Sequence, residues 1–223
     1  MSQKLGILSE KVTLGEGLEI DEGVLIGYPS ERIIQSERLI IGNNARIRSG
    51  SVIYWGSEIG DNLQTGHNVV IREENVIGDD FRIWNNSVVD YGCVIGNNVK
   101  IHCGAYISQY MVIEDDVFMA PGVVVANDIH PGCGYSDQCM KGPIIKKGAQ
   151  IGVNVTLLPF ITIGEHSLIG GGSVVTKNVP PRSVVYGNPA RVVKNIDDLR
   201  CITGLTDRPY RGRPICGFRS SRT

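Results

Sequence analysis

The sequence is short of aromatic side chains. Phe, Trp and Tyr make up 6% of its 223 residues, too few to fill an ordinary globular core, where such rings dominate the buried area. It is also short of net charge. A formal charge of −1 gives no general field to gather nucleic acid, and no nucleic-acid partner is expected. No run of eighteen apolar residues occurs, so no membrane-spanning helix is expected. The opening Met1-Ser-Gln-Lys-Leu5 has no apolar segment of the signal-peptide kind, which predicts a cytoplasmic protein. Six cysteines stand at 93, 103, 133, 139, 201 and 216. They are expected to be reduced thiols, as in other proteins of a reducing compartment.

What the sequence has is a beat of six. From Ile41 to Val125, fifteen consecutive sixth positions carry fourteen apolar side chains, and Thr65 is the exception. The position four further on is mostly small or apolar, as at Ala45, Ser51, Ser57, Val69 and Ser87. Gly42, Gly60, Gly78 and Gly96 mark a slower period of eighteen. The beat resumes at Ile145, Ile151, Leu157, Ile163, Ile169 and Val175. Neither an amphipathic helix nor an alternating strand makes this pattern, and a fixed hexapeptide period predicts a parallel β-helix. Three hexads would make one triangular coil, with the aliphatic residue inward and Gly, Asn or Asp turning the corner. Seven or eight coils at roughly 4.8 Å each would give a prism about 35–40 Å long.

Two stretches leave the register. Tyr28–Arg38 reads as a surface loop. Asn127–Pro143 reads as a long loop inside a compact repeat, and such loops usually serve function. The coils are expected to stop at Pro180-Pro181. Beyond them, Asn188 and Pro189 could start a helix with Val192, Val193, Ile196 and Leu199 on one face and Gly204 at its end. The expected organisation is an all-β parallel β-helix over residues 1–187, carrying the loop 127–143. A C-terminal helix and basic tail would fill 188–223.

The Ile-Gly-x-x-x-x repeat, Gly170–Pro181 (GGGSVVTKNVPP) and Tyr186–Arg191 (YGNPAR) together resemble the hexapeptide-repeat acyltransferases over residues 12–200. The resemblance implies a left-handed coil, an exception to the usual right-handed crossover. It also implies a homotrimer with active sites between subunits, and acyl-CoA as donor. Thr65–Arg72 (TGHNVVIR) and Gly142–Gly148 (GPIIKKG) are similar to the nucleotide-aminosugar N-acetyltransferases. Asn127–Pro131 (NDIHP) resembles the Thr-His-Pro loop of galactoside and maltose acetyltransferases, where the histidine is catalytic. By that likeness His130 is the candidate base, with Asp128 beside it as a candidate substrate-binding residue.

Counting by eighteen places His67, Asn85 and Cys103 on one corner, with Trp84 and His102 one residue earlier. The polar and aromatic strip of His67, Trp84, Asn85 and His102 suits a sugar or nucleotide, and an ordinary solvated corner is the plainer reading. His67 and His102 are alternative bases, and His166 is expected to be an exposed corner residue. The resemblance implies pantetheine against the stacked Val153 and Gly171. It also implies Thr176, Lys177, Arg191 and Lys194 at the phosphate end of acetyl-CoA, where cations suit the charge. His130, Cys133 and Cys139 have ligand chemistry but no standard zinc spacing, so no metal is expected. The resulting expectation is an acetyl-CoA-dependent N-acetyltransferase acting on a nucleotide-linked amino sugar. A sugar O-acetyltransferase and a non-catalytic scaffold are the alternatives.

Overall fold

The computed structural model describes residues 11–210 together with the backbone of Gly6–Ile7. The chain winds as a left-handed parallel β-helix with three flat faces. Face I holds strands such as Val52–Tyr54, Val70–Ile71 and Val88–Val89. Face II holds Glu58–Ile59, Val76–Ile77 and Val94–Ile95. Face III holds Gln64–Thr65, Arg82–Ile83 and Lys100–Ile101. Pairing is parallel and in register at eighteen residues, as in Ile71 opposite Val89 and Ile83 opposite Ile101.

Each hexad contributes a strand of only two or three residues, because a corner follows at once. In Arg82-Ile83-Trp84, Ile83 points inward and is fully buried while its neighbours point out. The inward side chains form one continuous core, in which Ile53, Ile71, Ile83, Ile101 and Ile107 have no solvent exposure. The corners need a left-handed residue. Asn44, Asn62, Asp80, Asn98 and Asp116 supply it, with φ between 54° and 62°, and Asn and Asp adopt that region at less cost than other L residues. Beside them a ladder of hydrogen bonds ties coil to coil. Asn43 N–H donates to Asp61 Oδ1 at 2.7 Å, Asp61 to Asp79 at 2.8 Å, Asp79 to Asn97 at 2.9 Å and Asn97 to Asp115 at 2.8 Å. A Cβ on Gly60 or Gly78 would stand 2.3 or 2.5 Å from a ladder oxygen, so those positions stay glycine.

The one polar inward hexad residue is accommodated by hydrogen bonding. Thr65 is buried, and its hydroxyl accepts from Arg48 N–H at 2.9 Å. Cys93 is also inward and buried, and that burial pushes its thiol pKa up to about 12.

The C-terminal segment differs from the expected helix. Ser183–Gly187 adds to face III, and Ala190–Asn195 folds back antiparallel to it. Gly187 turns at φ 105°. Val192 and Val193 are adjacent and both exposed. A helix needs one buried stripe, whereas β-branched neighbours suit a strand. A single 3-10 turn, Ile196–Asp198, follows, and Ile196 alone of the expected apolar face is buried. Arg200 pairs with Asp207. The rest of the expected basic tail, 211–223, lies outside the described residues, as does the N-terminal pentapeptide.

Ile101→Ala removes a fully buried side chain stacked between Ile83 and Met119. It should cost about 2–5 kcal/mol, read as a lowered urea midpoint. A loss below about 1 kcal/mol would mean that the coils close over the gap.

Candidate active site

The three corners differ in chemistry. Edge III/I stacks His67, Asn85, Cys103, Pro121, Val153 and Gly171. The stacking is fixed by corner hydrogen bonds: Asn86 N–H to His67 O at 3.0 Å, Gly104 to Asn85 at 2.9 Å, Gly122 to Cys103 at 3.0 Å, Asn154 to Pro121 at 2.9 Å and Gly172 to Val153 at 2.8 Å. The expected polar strip and the expected pantetheine positions are therefore one column. His67 is exposed; its Nδ1 lies 2.9 Å from Ser49 Oγ, and its N–H donates to Asn85 Oδ1 at 3.0 Å. Trp84 and His102 stand beside this column on the outer side of face III. The His102 ring meets Phe118 edge-on at 5.3 Å. Burial, with Lys100 nearby, holds its pKa below the ordinary histidine value, so it is neutral at pH 7 and one ring nitrogen can accept a hydrogen bond.

The loop bearing His130 leaves from a different corner, edge I/II. Asn127 anchors it: its side-chain amide donates to Gln109 Oε1 at 2.6 Å, and its carbonyl accepts from Lys141 N–H at 2.8 Å, closing the loop base. Asp128 Oδ1 accepts from the His130 main-chain N–H at 2.8 Å, and Asp128 Oδ2 accepts from the Ser136 hydroxyl. Asp128 thus shapes the turn that carries His130. His130 and most of the loop are exposed; in the one-turn helix Ser136–Cys139, Asp137 and Gln138 are exposed and Ser136 and Cys139 half-buried. Among the described residues, no three His, Cys, Asp or Glu side chains gather as metal ligands.

The remaining expected donor contacts divide between elements. Gly171 faces Val153, where a Cβ would sit 3.1 Å from a Val153 methyl. Thr176 and exposed Lys177 lie across face I, on edge I/II. Arg191 and Lys194 are exposed on the final strand, in register with Tyr186 and Val184. The Tyr186 ring packs on Gly170, where any Cβ would stand 2.1 Å from it. Within one chain, His130 and Lys177 share one edge, whereas His67, Asn85, Val153 and Gly171 share another. His166 is half-buried on edge II/III rather than exposed, with its Nδ1 buried.

A further cluster on edge I/II was not anticipated from the sequence. The Glu73 carboxylate has no solvent exposure and receives Arg72 at 3.0 and 3.2 Å and Arg32 at 3.2 Å. Arg72 also pairs with Asp90 at 3.3 Å, and Asp90 accepts from the Tyr106 hydroxyl at 2.7 Å. Arg32 belongs to the 28–38 loop and lies 3.5 Å over the Tyr91 ring, so it pins that loop to the prism. The available signal was Asn75, a polar residue at a position where most hexads carry a small or apolar one. Its amide donates to Arg72 O at 2.8 Å, and its carbonyl oxygen accepts from Cys93 N–H at 2.8 Å.

Burial alone would raise the Glu73 pKa. Hydrogen bonds and the two guanidiniums outweigh that and leave it below its ordinary value of 4.5. A depressed carboxylate pKa contributes stability above the unfolded-state value that is lost as pH falls through the folded-state value. Glu73→Gln should therefore destabilise the protein at pH 7 by about 3–5 kcal/mol, since it leaves two cations short of their partner. It should also flatten the decline in melting temperature below about pH 4.5. An unchanged acid limb would show that Glu73 does not govern it.

The repeats match a known family. Residues 76–109 and 142–177 fit the model described as bacterial transferase hexapeptide (six repeats). Over 87 residues the chain is 38% identical to the galactoside O-acetyltransferase of Escherichia coli, covering 37% of this chain and 43% of that protein. Over 49 residues it is 49% identical to the dTDP-3-amino-3,6-dideoxy-alpha-D-galactopyranose 3-N-acetyltransferase of Aneurinibacillus thermoaerophilus, covering 22% of this chain and 26% of that one. These matches span between about a quarter and under half of the length of the curated relatives. The fold is shared with the UDP-N-acetylglucosamine acyltransferase of Campylobacter jejuni, with a TM-score of 0.57 at 17% identity over 85% of this chain and 74% of that one. The chain resembles the hexapeptide-repeat acyltransferases in repeat, fold and sequence.

Proposed function

We propose that this hexapeptide-repeat protein is an acetyltransferase that moves acetyl from acetyl-CoA to the amino group of a nucleotide-linked sugar, and that it works as a homotrimer. One observation carries the reading. The expected donor positions Val153 and Gly171 stand in the same column as the polar strip of His67, Asn85 and Cys103. A thioester laid along the upper coils would meet an acceptor held on the lower ones. Likeness to the amino-sugar N-acetyltransferase of Aneurinibacillus supports an amine acceptor. Likeness to the galactoside enzyme and the Asn127–Pro131 loop supports transfer to a sugar hydroxyl as the second reading.

The divided site supports an assembly of copies. His130 and Lys177 sit on edge I/II, so a neighbouring copy is the simplest way to bring them to edge III/I. Two faces are suited to contact. Face I presents Val52, Val70, Val88, Val124 and Val174 outward, and face II presents Val76 and Val94, with Val76, Val94 and Val124 about half exposed at 52%, 49% and 47%. Contiguous apolar stripes of this kind mark interaction surfaces.

In the reaction, the acceptor amine attacks the thioester carbonyl carbon. The C–N bond forms, the C–S bond breaks and CoA leaves as the thiol. His130 takes the proton that the amine sheds and passes it to the departing sulfur. Main-chain N–H groups near the corner steady the oxyanion. The same steps with a hydroxyl would give the ester. Retained acetyl-CoA binding separates an enzyme from a scaffold, and a thermal shift with CoA reads it directly.

His130→Ala should lower kcat by a factor of about 10²–10⁴ with little change in donor affinity. Retention of more than about a third of the rate would remove His130 as the base. Lys177→Ala and Arg191→Ala should raise KM for acetyl-CoA more than they lower kcat, because both would hold a remote phosphate equally before and during reaction. An unchanged KM would take them out of the donor site.

A further inference from the structure

The outer side of face III is built unlike the other two faces. Its outward positions from Gln64 through Gln150 carry Arg82, Trp84, Lys100, His102 and Phe118, and among the described residues no carboxylate occupies this stretch of the face. Acids occur only at its N-terminal end, where Glu19 and Asp21 pair with Arg46 at 3.3 Å and Arg48 at 3.2 Å. Arg82 and Lys100 are register partners on adjacent coils, as are the positions of Trp84 and His102 next to them. Two donors here are buried without a hydrogen-bond partner: Nε of Arg82, one coil before Lys100, and Nε2 of Gln150, two coils beyond Lys100.

Arg82 and Lys100 in one column and the Trp84 and His102 rings in the next suit a ligand with phosphates on one side and a planar base on the other. Arg guanidinium recognises phosphate through paired, charge-assisted donors. Trp and His rings stack on any nucleobase, since every base has a π-face. We propose that this strip binds the nucleoside diphosphate part of the acceptor, with Arg82 and Lys100 on the phosphates and Trp84 against the base. The sugar is then delivered round the corner to Asn85 and Cys103. This deepens the acceptor reading given above and rests on it. The same chemistry is present in the nucleotide end of CoA, whose expected positions are Lys177 and Arg191 on other elements.

The test is calorimetric titration of the full chain with uridine diphosphate, thymidine diphosphate and CoA separately, with tryptophan fluorescence followed in parallel. One of the two pyrimidine diphosphates should bind and quench Trp84. Arg82→Ala should weaken that binding about ten- to a hundred-fold, the scale of one charged hydrogen-bond pair, and leave CoA affinity unchanged. Trp84→Phe should abolish the quench. If Arg82→Ala does not fold, Lys100→Gln takes its place with the same expectation. Binding of neither diphosphate, equal binding by the variant, or a loss of CoA affinity instead would each overturn the assignment. Arg82-dependent diphosphate binding by a protein that acetylates no nucleotide-linked sugar would keep the strip as a nucleotide site but end both its link to the acceptor and the N-acetyl reading.

Discussion

Main-chain hydrogen bonds between neighbouring coils set the other distances in this molecule. Gly78 N–H reaches Ile95 O at 2.8 Å, Trp84 reaches Ile101 at 3.0 Å and Asp90 reaches Ile107 at 2.9 Å, on three different faces. Because each strand is only two or three residues long, a slip of one residue would turn every inward aliphatic outward. The Ile and Val stack and the hydrogen-bond register therefore enforce each other. The polar features inherit the same spacing. The Asn and Asp ladder, the His67 column and the Arg82–Lys100 pair are all consequences of eighteen residues per coil.

That rule also explains how loops are tolerated. The 28–38 and 127–143 segments leave edge I/II and return without disturbing the pairing. Leu14 still opposes Ile41, and Ile113 still opposes Ile145. Each loop is held by a few bonds outside the ladder: Arg32 to Glu73 for the first, Asn127 to Gln109 and to Lys141 N–H for the second. The column residues of the candidate site thus sit within the coil ladder, and its candidate base sits on a loop outside it. Such a division suits an enzyme that must admit two substrates and then exclude water.

The coils were legible in the sequence because their physics repeats: one inward aliphatic every six residues leaves little else to choose. Corner stacking followed by counting, so His67, Asn85 and Cys103 could be grouped from the sequence, and Val153 with Gly171; that both sets share one column was hidden by the inserted loop, which breaks the count of eighteen between Pro121 and Val153. The final strand was not legible. Val192, Val193 and Ile196 satisfy a helical stripe as well as a strand, and pairing with Ser183–Gly187 decided the matter. The Glu73 cluster was hidden for a different reason. It joins Arg32 to residues 41 and 58 positions away, and its partners meet only because a loop folds back. The separation of His130 and Lys177 from the His67 column was legible only as a difference of edge. In the proposed trimer, contacts between copies of the chain would bring the two edges together, and such contacts follow no sequence period.

The central claim is that the active site is shared between copies. Two variants test it: His130→Ala, which lacks the loop base, and Gly171→Trp, which fills the column beside Val153. Each should be inactive alone. Unfolded together and refolded in equal amounts, they should form mixed trimers in which about a quarter of the sites combine an intact loop with an intact column, by random assortment in a closed ring. Recovery of about a quarter of wild-type activity is the predicted result. Mixed trimers with no recovered activity would contradict the account and put the whole site within one chain.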